Sequence, residues 1–179
     1  ILESSNDTVL LYEDEFSLSN TATLNCKWGK KGVQPKVMCK QRGKERMTGM
    51  GSYNYNTGQI TVSFHKKGNY QSFKKHLKKV LNVYKSYSKI IMVVDNVRYH
   101  HAKLLEKWLK NNEKIEIIYL PPYSPELNPV ERAWWYMRKK ITHNRFVNSL
   151  NDRIKAFWKM FSHFQKPNEE LLKVCEINY

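Results

Sequence analysis

Hydrophobic residues in this chain keep two different rhythms, and each rhythm predicts its own kind of element. Thr8–Phe16 (TVLLYEDEF) reads as a strand that carries Asp14 near its end. Met47–Phe64 alternates on either side of Asn56-Thr57-Gly58, the pattern of a β-hairpin. Short apolar runs of the fully buried kind at Lys89–Asp95 and Ile115–Leu120 predict two further strands. A 3.6-residue rhythm marks the helices. In Gln71–Lys89 the stripe is Phe73, Leu77, Val80, Leu81 and Tyr84, with Lys74, Lys75, Lys78 and Lys79 largely off it. Ala102–Asn111 places Leu104, Leu105, Trp108 and Leu109 inward. Helices over Pro129–Thr142 and Asn151–Phe164 follow, the second with Ile154, Phe157, Trp158 and Phe161 at helical spacing. An antiparallel beginning thus gives way to strand–helix–strand–helix units, which need parallel strands and right-handed crossovers. The expectation is an α/β fold, a mixed sheet flanked by helices.

Domain organisation follows from what interrupts these rhythms. The chain has 179 residues, no internal repeat and no low-complexity linker, which predicts a single domain over residues 1–179. Residues 20–46 hold few apolar positions; from Lys27 to Arg46 there are eight basic residues against one acidic, Glu45, so this stretch reads as a basic loop. Residues 150–179 read as a C-terminal helical extension. The first residue is Ile1 rather than Met, as expected of a piece of a longer protein.

Charge narrows the class of partner. The formal charge is +15 and the isoelectric point is near 9.7, so a polyanion is expected, nucleic acid ahead of an anionic membrane. Hydrophobic residues at 41% and aromatics at 13% separate the chain from a disordered basic tail, and five Trp and eleven Tyr make a ribosomal-type protein less attractive. Cys26, Cys39 and Cys175 are odd in number and lack CxxC spacing, which argues against a zinc site or a disulfide framework and fits a reducing compartment. The apolar runs are far shorter than a membrane span.

Against this basic background three acids stand out. Asp14 and Asp95 lie in or at the end of apolar runs, where an unpartnered carboxylate is costly. Asp95 closes Ile90–Val94, and the C-terminal end of a central parallel strand opens on the ligand crevice of α/β proteins; its plainer alternative is a turn or cap residue. Asp14 lies on the opposite sheet face from Glu13 and Glu15, though a solvated strand end is equally compatible. Glu131, in Asn128-Pro129-Val130-Glu131, also fits a capping box, and Glu126 competes with it. Clustered carboxylates suit Mg²⁺ or Mn²⁺, and a pair of ions about 3.5–4 Å apart would serve phosphodiester chemistry. His100 or His101 could stand beside such a site or simply begin the next helix.

The strings DNVRYHHAK and YLPPYSPELNPVERAWWYMRKKI resemble the catalytic domain of Tc/mariner superfamily transposases, in particular their bacterial and archaeal insertion-sequence branch. The resemblance runs from Asp14 to about Ile141. The family pattern of Asp-Asn, a His five residues on, and an acid after Asn-Pro-x falls on Asp95-Asn96, His100 and Glu131, with 35 residues between the two acids. Its first Asp, followed by Glu, falls on Asp14-Glu15. The resemblance favours Glu131 over Glu126 and implies an RNase H-like sheet of five strands in which the first and fourth are neighbours.

It further implies DDE chemistry. Asp14, Asp95 and Glu131 would hold two Mg²⁺ or Mn²⁺ ions, supported by Glu15, Asn96, His100, Asn128 and Trp135. Water cleaves the transposon end, and the freed 3′-hydroxyl joins target DNA, usually at TA. Implied partners are double-stranded DNA and a second subunit, with no membrane, in a prokaryotic cytoplasm beside the nucleoid, or in a nucleus if the source is eukaryotic. Candidate DNA contacts are Lys27, Lys30, Lys31, Lys36, Lys40 and Arg42 of the basic loop, where mariner relatives carry a partner-gripping segment, together with Arg98, Arg138, Lys139 and Lys140. The family's N-terminal helix-turn-helix modules lie outside this sequence. Rival readings are an RNase H-like nuclease or resolvase without strand transfer, and a domesticated DNA-binding protein without chemistry.

Overall fold

The structure is a computed structural model that describes residues 7–38 and 45–176, so Cys39, Lys40 and Arg42 lie outside the described residues. Its sheet has five strands, β1 (Thr8–Ser19), β2 (Arg46–Asn54), β3 (Ile60–His65), β4 (Lys89–Val94) and β5 (Ile115–Tyr119), in the order β3-β2-β1-β4-β5. β1 pairs antiparallel with β2 and parallel with β4, and β4 pairs parallel with β5. This is the expected mixed sheet, with its first and fourth strands side by side. The β2–β3 hairpin closes where expected: Gly58 donates to the Asn54 carbonyl at 2.9 Å and takes a φ of 69°, which an L side chain rarely adopts.

Helices α1 (Tyr70–Val83) and α2 (Lys103–Lys110) are joined to the sheet core by Phe73, Leu77, Val80 and Leu105, which pack with Val9 and Leu11 of β1. Helices α3 (Val130–Ile141), α4 (Leu150–Phe164) and α5 (Glu169–Cys175) pack with Phe16 and Leu18 of β1 through Trp134, Met137, Phe157, Phe161 and Leu171. The apolar positions of β1 are odd-numbered at its start and even-numbered at its end. That change of parity is how one strand serves two cores, because successive side chains point to opposite faces. Between the two sets lie Glu13, Asp14 and Glu15.

β2 is shaped for the second core by missing side chains. A Cβ on Gly49 would meet the Phe16 ring at 2.3 Å, and one on Gly51 would meet the Trp134 ring at 2.3 Å. Side-chain caps start three of the helices: Asn69, Ser149 and Asn168 accept from the backbone N–H groups of Ser72, Asp152 and Leu171. At the far end of α3 the fully buried Arg153 donates to the Ile141 carbonyl at 2.6 Å, an acceptor that a helix C-terminus leaves open, and to the Arg145 carbonyl in the segment that follows at 2.9 Å.

Two expectations change. α1 ends at Val83, six residues short of Lys89, because the chain turns at Tyr84–Ser88 and Ser88 donates its N–H to the Asp7 carbonyl at 2.9 Å. In α2 only Leu105 is fully buried. Leu104 is 61% exposed, since an eight-residue helix at the edge of the layer presents a narrow stripe to the sheet. The root of the basic loop is fixed to the end of α3: Thr23 bridges His143, and Asn144 donates to the Asn25 carbonyl at 2.9 Å.

Candidate active site

The β1–β4 register, Thr8 to Tyr12 against Lys89 to Val93, carries on to bring Asp14 level with Asp95 just beyond the end of β4. Both carry the parity of Tyr12 and Val93, which places them on the α3 side of the sheet. Glu131 arrives from that layer, in the first turn of α3. The three acids line one cleft together with Asn96, Asn128 and the rim Leu120–Pro125. Glu126 does not line it.

Local structure explains why Glu131 is available. In a capping box its carboxylate would bind the Asn128 N–H. Here that N–H donates to the Pro125 carbonyl at 3.0 Å, so Glu131 is not spent on capping. Asn128 is the fastener: its side-chain amide donates to the Glu13 carbonyl at 3.0 Å while its Oδ1 accepts from Val130 at 3.2 Å. One buried side chain thus ties the start of α3 to β1 directly beside Asp14. The rim is stiff, with Pro121, Pro122 and Pro125 flanking Tyr123, which is fully exposed and held at a φ of 60°.

Among the described residues no Lys, Arg or His lines the cleft, so its charge is uniformly negative. Asp14 responds most: burial first, then the charge of Glu131, then that of Asp95, push its pKa up to about 8, against the pull of the Glu15 backbone N–H and the Trp134 indole. Its Oδ2 is buried without a hydrogen-bond partner among the described residues. A hard divalent cation would answer both the crowding of like charge and the unused oxygen, and an all-oxygen donor set suits Mg²⁺ or Mn²⁺. Among the described residues, no three His, Cys, Asp or Glu side chains are gathered tightly enough to hold an ion as they stand.

Behind the cleft lies a layer of buried polar groups. His100, in a 3₁₀ turn (Arg98–His101), places Nδ1 3.2 Å from Asp95 Oδ1 and 3.1 Å from the Asp95 carbonyl. Both neighbours of Nδ1 are acceptors, so Nδ1 carries a proton. Nε2 faces Glu13 Oε2 at 3.9 Å, and Glu13 is wholly buried. Desolvation, then the charges of Asp14, Glu15 and Asp95, raise the Glu13 pKa well above the usual carboxylate range. Glu15, also raised by burial, accepts a hydrogen bond from Tyr99, which stands beside His100.

The predicted residues sort accordingly. Asp14, Asp95, Glu131, Asn96 and Asn128 share the cleft, and His100 braces Asp95 from behind. Glu15 lies on the opposite sheet face, connected through Tyr99. Asn96 Oδ1 accepts from His101 Nε2 at 2.5 Å. Trp135 is 55% exposed with Lys139 Nζ 5.1 Å from its ring centre; the aromatic packed beside Asp14 is Trp134 instead. Lys27, Lys30, Lys31, Lys36, Arg98 and Lys139 are exposed, and none of them, nor Arg138 or Lys140, lines the cleft. The sequence pattern does not single out Glu13, Tyr99 or Trp134 for the site. For Trp134 a signal exists, its spacing of one helical turn from Glu131.

Comparison with known proteins agrees with this geometry. The DDE superfamily endonuclease family matches residues 9–153. The chain is 29% identical over 175 residues to the insertion element IS630 uncharacterized 39 kDa protein of Shigella sonnei, covering 96% of this chain and 51% of that protein. The Mos1 transposase paired-end complex with left transposon end superposes with a TM-score of 0.70 at 15% identity, covering 93% of this chain and 51% of that one. The Mos1 mariner paired-end complex with Mn gives 0.69 at 14%, with 93% and 51% covered. The chain therefore spans about half the length of these relatives. Its sheet is the RNase H-like sheet of the mariner catalytic domain, and the chain belongs to the DDE superfamily endonucleases.

Proposed function

We propose that the chain is the catalytic domain of a cut-and-paste transposase, which cleaves DNA at the ends of its element and joins the freed ends to target DNA. The observation that carries this reading is the convergence of Asp14, Asp95 and Glu131, from two strands and a helix start, on one cleft with no basic side chain described in its lining. These three residues would hold Mg²⁺ or Mn²⁺, two ions in the full reading. A cation bound there supplies a Lewis acid that activates water and offsets charge on the reacting phosphodiester.

The chain's own groups do the positioning. His100 fixes the orientation of Asp95, Asn128 fixes where α3 begins, and Trp134 with the buried sheet keeps water from behind Asp14. The open rim admits a phosphodiester, and hydrolysis leaves a 3′-hydroxyl in the same cleft. That hydroxyl attacks a second phosphodiester, so one bond forms as one breaks and no covalent enzyme intermediate is needed. Phosphoryl transfer of this kind depends on placement and charge, so losing one carboxylate should nearly abolish it.

DNA as substrate follows from the +15 charge as well as from the cleft. A homodimer belongs to the same reading: Trp28 is fully exposed in the basic loop, whose root is tied to the end of α3. Among the described residues no helix is long and apolar enough to cross a membrane. The test is incubation with labelled duplex carrying the element's ends and Mg²⁺ or Mn²⁺, beside Asp95→Ala. Cleaved and joined products from wild type alone support transposition; cleavage without joining supports a nuclease; equal inactivity of both proteins overturns the catalytic reading.

A further inference from the structure

On the opposite layer of the sheet from Asp14, α1 and α2 enclose a groove lined by Lys74, Lys75 and Lys78 of α1 and Leu104, Lys107 and Trp108 of α2, with no acidic residue in its lining among the described residues. We propose that this groove is a second DNA-binding site, one that holds the backbone of the duplex flanking the cleavage point. The inference rests on reading the chain as a DNA-processing domain, and goes beyond it by assigning lysines that belong neither to the basic loop nor to α3.

Three features select duplex backbone as the occupant. Lys74 and Lys78 lie one turn apart on α1, a rise of about 6 Å, over which one strand of a duplex presents about two phosphates. All the cations are lysines, which bind phosphate as point charges with no preference for sequence. The aromatic in the groove is not free to stack on an unpaired base: Trp108 is half-buried, and Lys74 Nζ lies 5.8 Å from its ring centre. A single-stranded site would offer an open ring.

Position supplies the connection to the chemistry. Phe73, in the first turns of α1, packs its ring 4.2 Å from that of His100, whose other side holds Asp95. Gly68, just before α1, lies against Glu15. The groove therefore begins at the catalytic end of the sheet, and the 3₁₀ turn with exposed Arg98 bridges it to the cleft. This also accounts for the exposure of Leu104, which α2 presents to the groove rather than to the sheet.

The test is the salt dependence of binding to a long duplex, measured in EDTA so that no cleavage intervenes. The substitutions Lys75→Gln, Lys78→Gln and Lys107→Gln, all at exposed positions, are made together. A control protein carries Lys155→Gln, Lys159→Gln and Lys166→Gln, which remove the same charge from the α4 side. Each phosphate contact contributes about 0.9 to the slope of log K against log salt, so the groove variant should flatten that slope by about 2–3. The control should leave it within about 0.5 of wild type. Equal flattening in both proteins, or none in the groove variant, overturns the proposal. A wild type that binds with the expected slope in EDTA but never cuts the same duplex once Mg²⁺ or Mn²⁺ is supplied would instead count against the catalytic reading alone.

Discussion

His100 Nδ1 lies 3.2 Å from the Asp95 carboxylate and 3.1 Å from the Asp95 carbonyl, so a single imidazole holds both the side chain and the backbone of a cleft residue. Because His100 is buried, that hold is rigid. His100→Ala should lower activity about 10–100-fold, the usual cost of removing a partner that orients a metal-holding group. His100→Asn, whose amide nitrogen can take the place of Nδ1, should recover part of that loss. Initial rates of cleavage for the two variants make the comparison; equal loss in both would reduce His100 to packing.

Gly51 stands opposite Asp14 in the β1–β2 register, with the Trp134 ring where its Cβ would be. The obstacle is a packed indole, not a flexible chain end. Gly51→Ala should therefore cost about 1–3 kcal/mol in urea unfolding and also weaken activity, through displacement of Trp134 beside Asp14. An unchanged midpoint would mean that Trp134 moves freely.

Asp14 makes stability depend on pH in an uncommon direction. Its pKa of about 8 in the fold exceeds the ordinary 3.8, so between those values the folded chain keeps a proton that the unfolded chain has released. Without metal, its contribution therefore falls as pH rises through that window, by at most about 1.4 kcal/mol per pH unit. Asp14→Asn should flatten this fall. Denaturation curves between pH 4 and pH 8 decide it, and parallel pH profiles for the two proteins would show that Asp14 is not crowded by charge.

Much of the site is legible in the residues themselves, for definite physical reasons. Side-chain alternation on β1 is a period of two, so the separation of Asp14 from Glu13 and Glu15 can be read from their order in the chain. The parallel pairing that brings Asp14 level with Asp95 follows from the family resemblance alone, which implies that the first and fourth strands are neighbours. Glu131 is different: its spacing fits a capping box, and only the hydrogen bond from the Asn128 N–H to Pro125 shows that it is not used as one. Glu13 is not legible as a buried group, because its burial involves the His100 turn, which lies far along the chain. Periodicity reports one face of one element; it cannot report what comes to cover that face. The exposure of Leu104 escapes it for the same reason.

Tyr123 holds a left-handed backbone with its ring in solvent. No contact of that ring among the described residues offsets the conformation, which costs a non-glycine residue about 1–2 kcal/mol. Tyr123→Asn, tolerant of the same φ, should raise stability by about 0.5–1 kcal/mol. Thermal unfolding measures this, and a loss of stability would mean that the tyrosine ring packs in solution.

The central claim is that Asp14, Asp95 and Glu131 form one cation site. Crystals soaked in Mn²⁺ and measured at the manganese absorption edge test it most directly. The expected result is an anomalous peak within coordination distance of all three carboxylates, with Asp14 Oδ2 among the ligands. Manganese bound elsewhere, with the three acids unliganded, would contradict it.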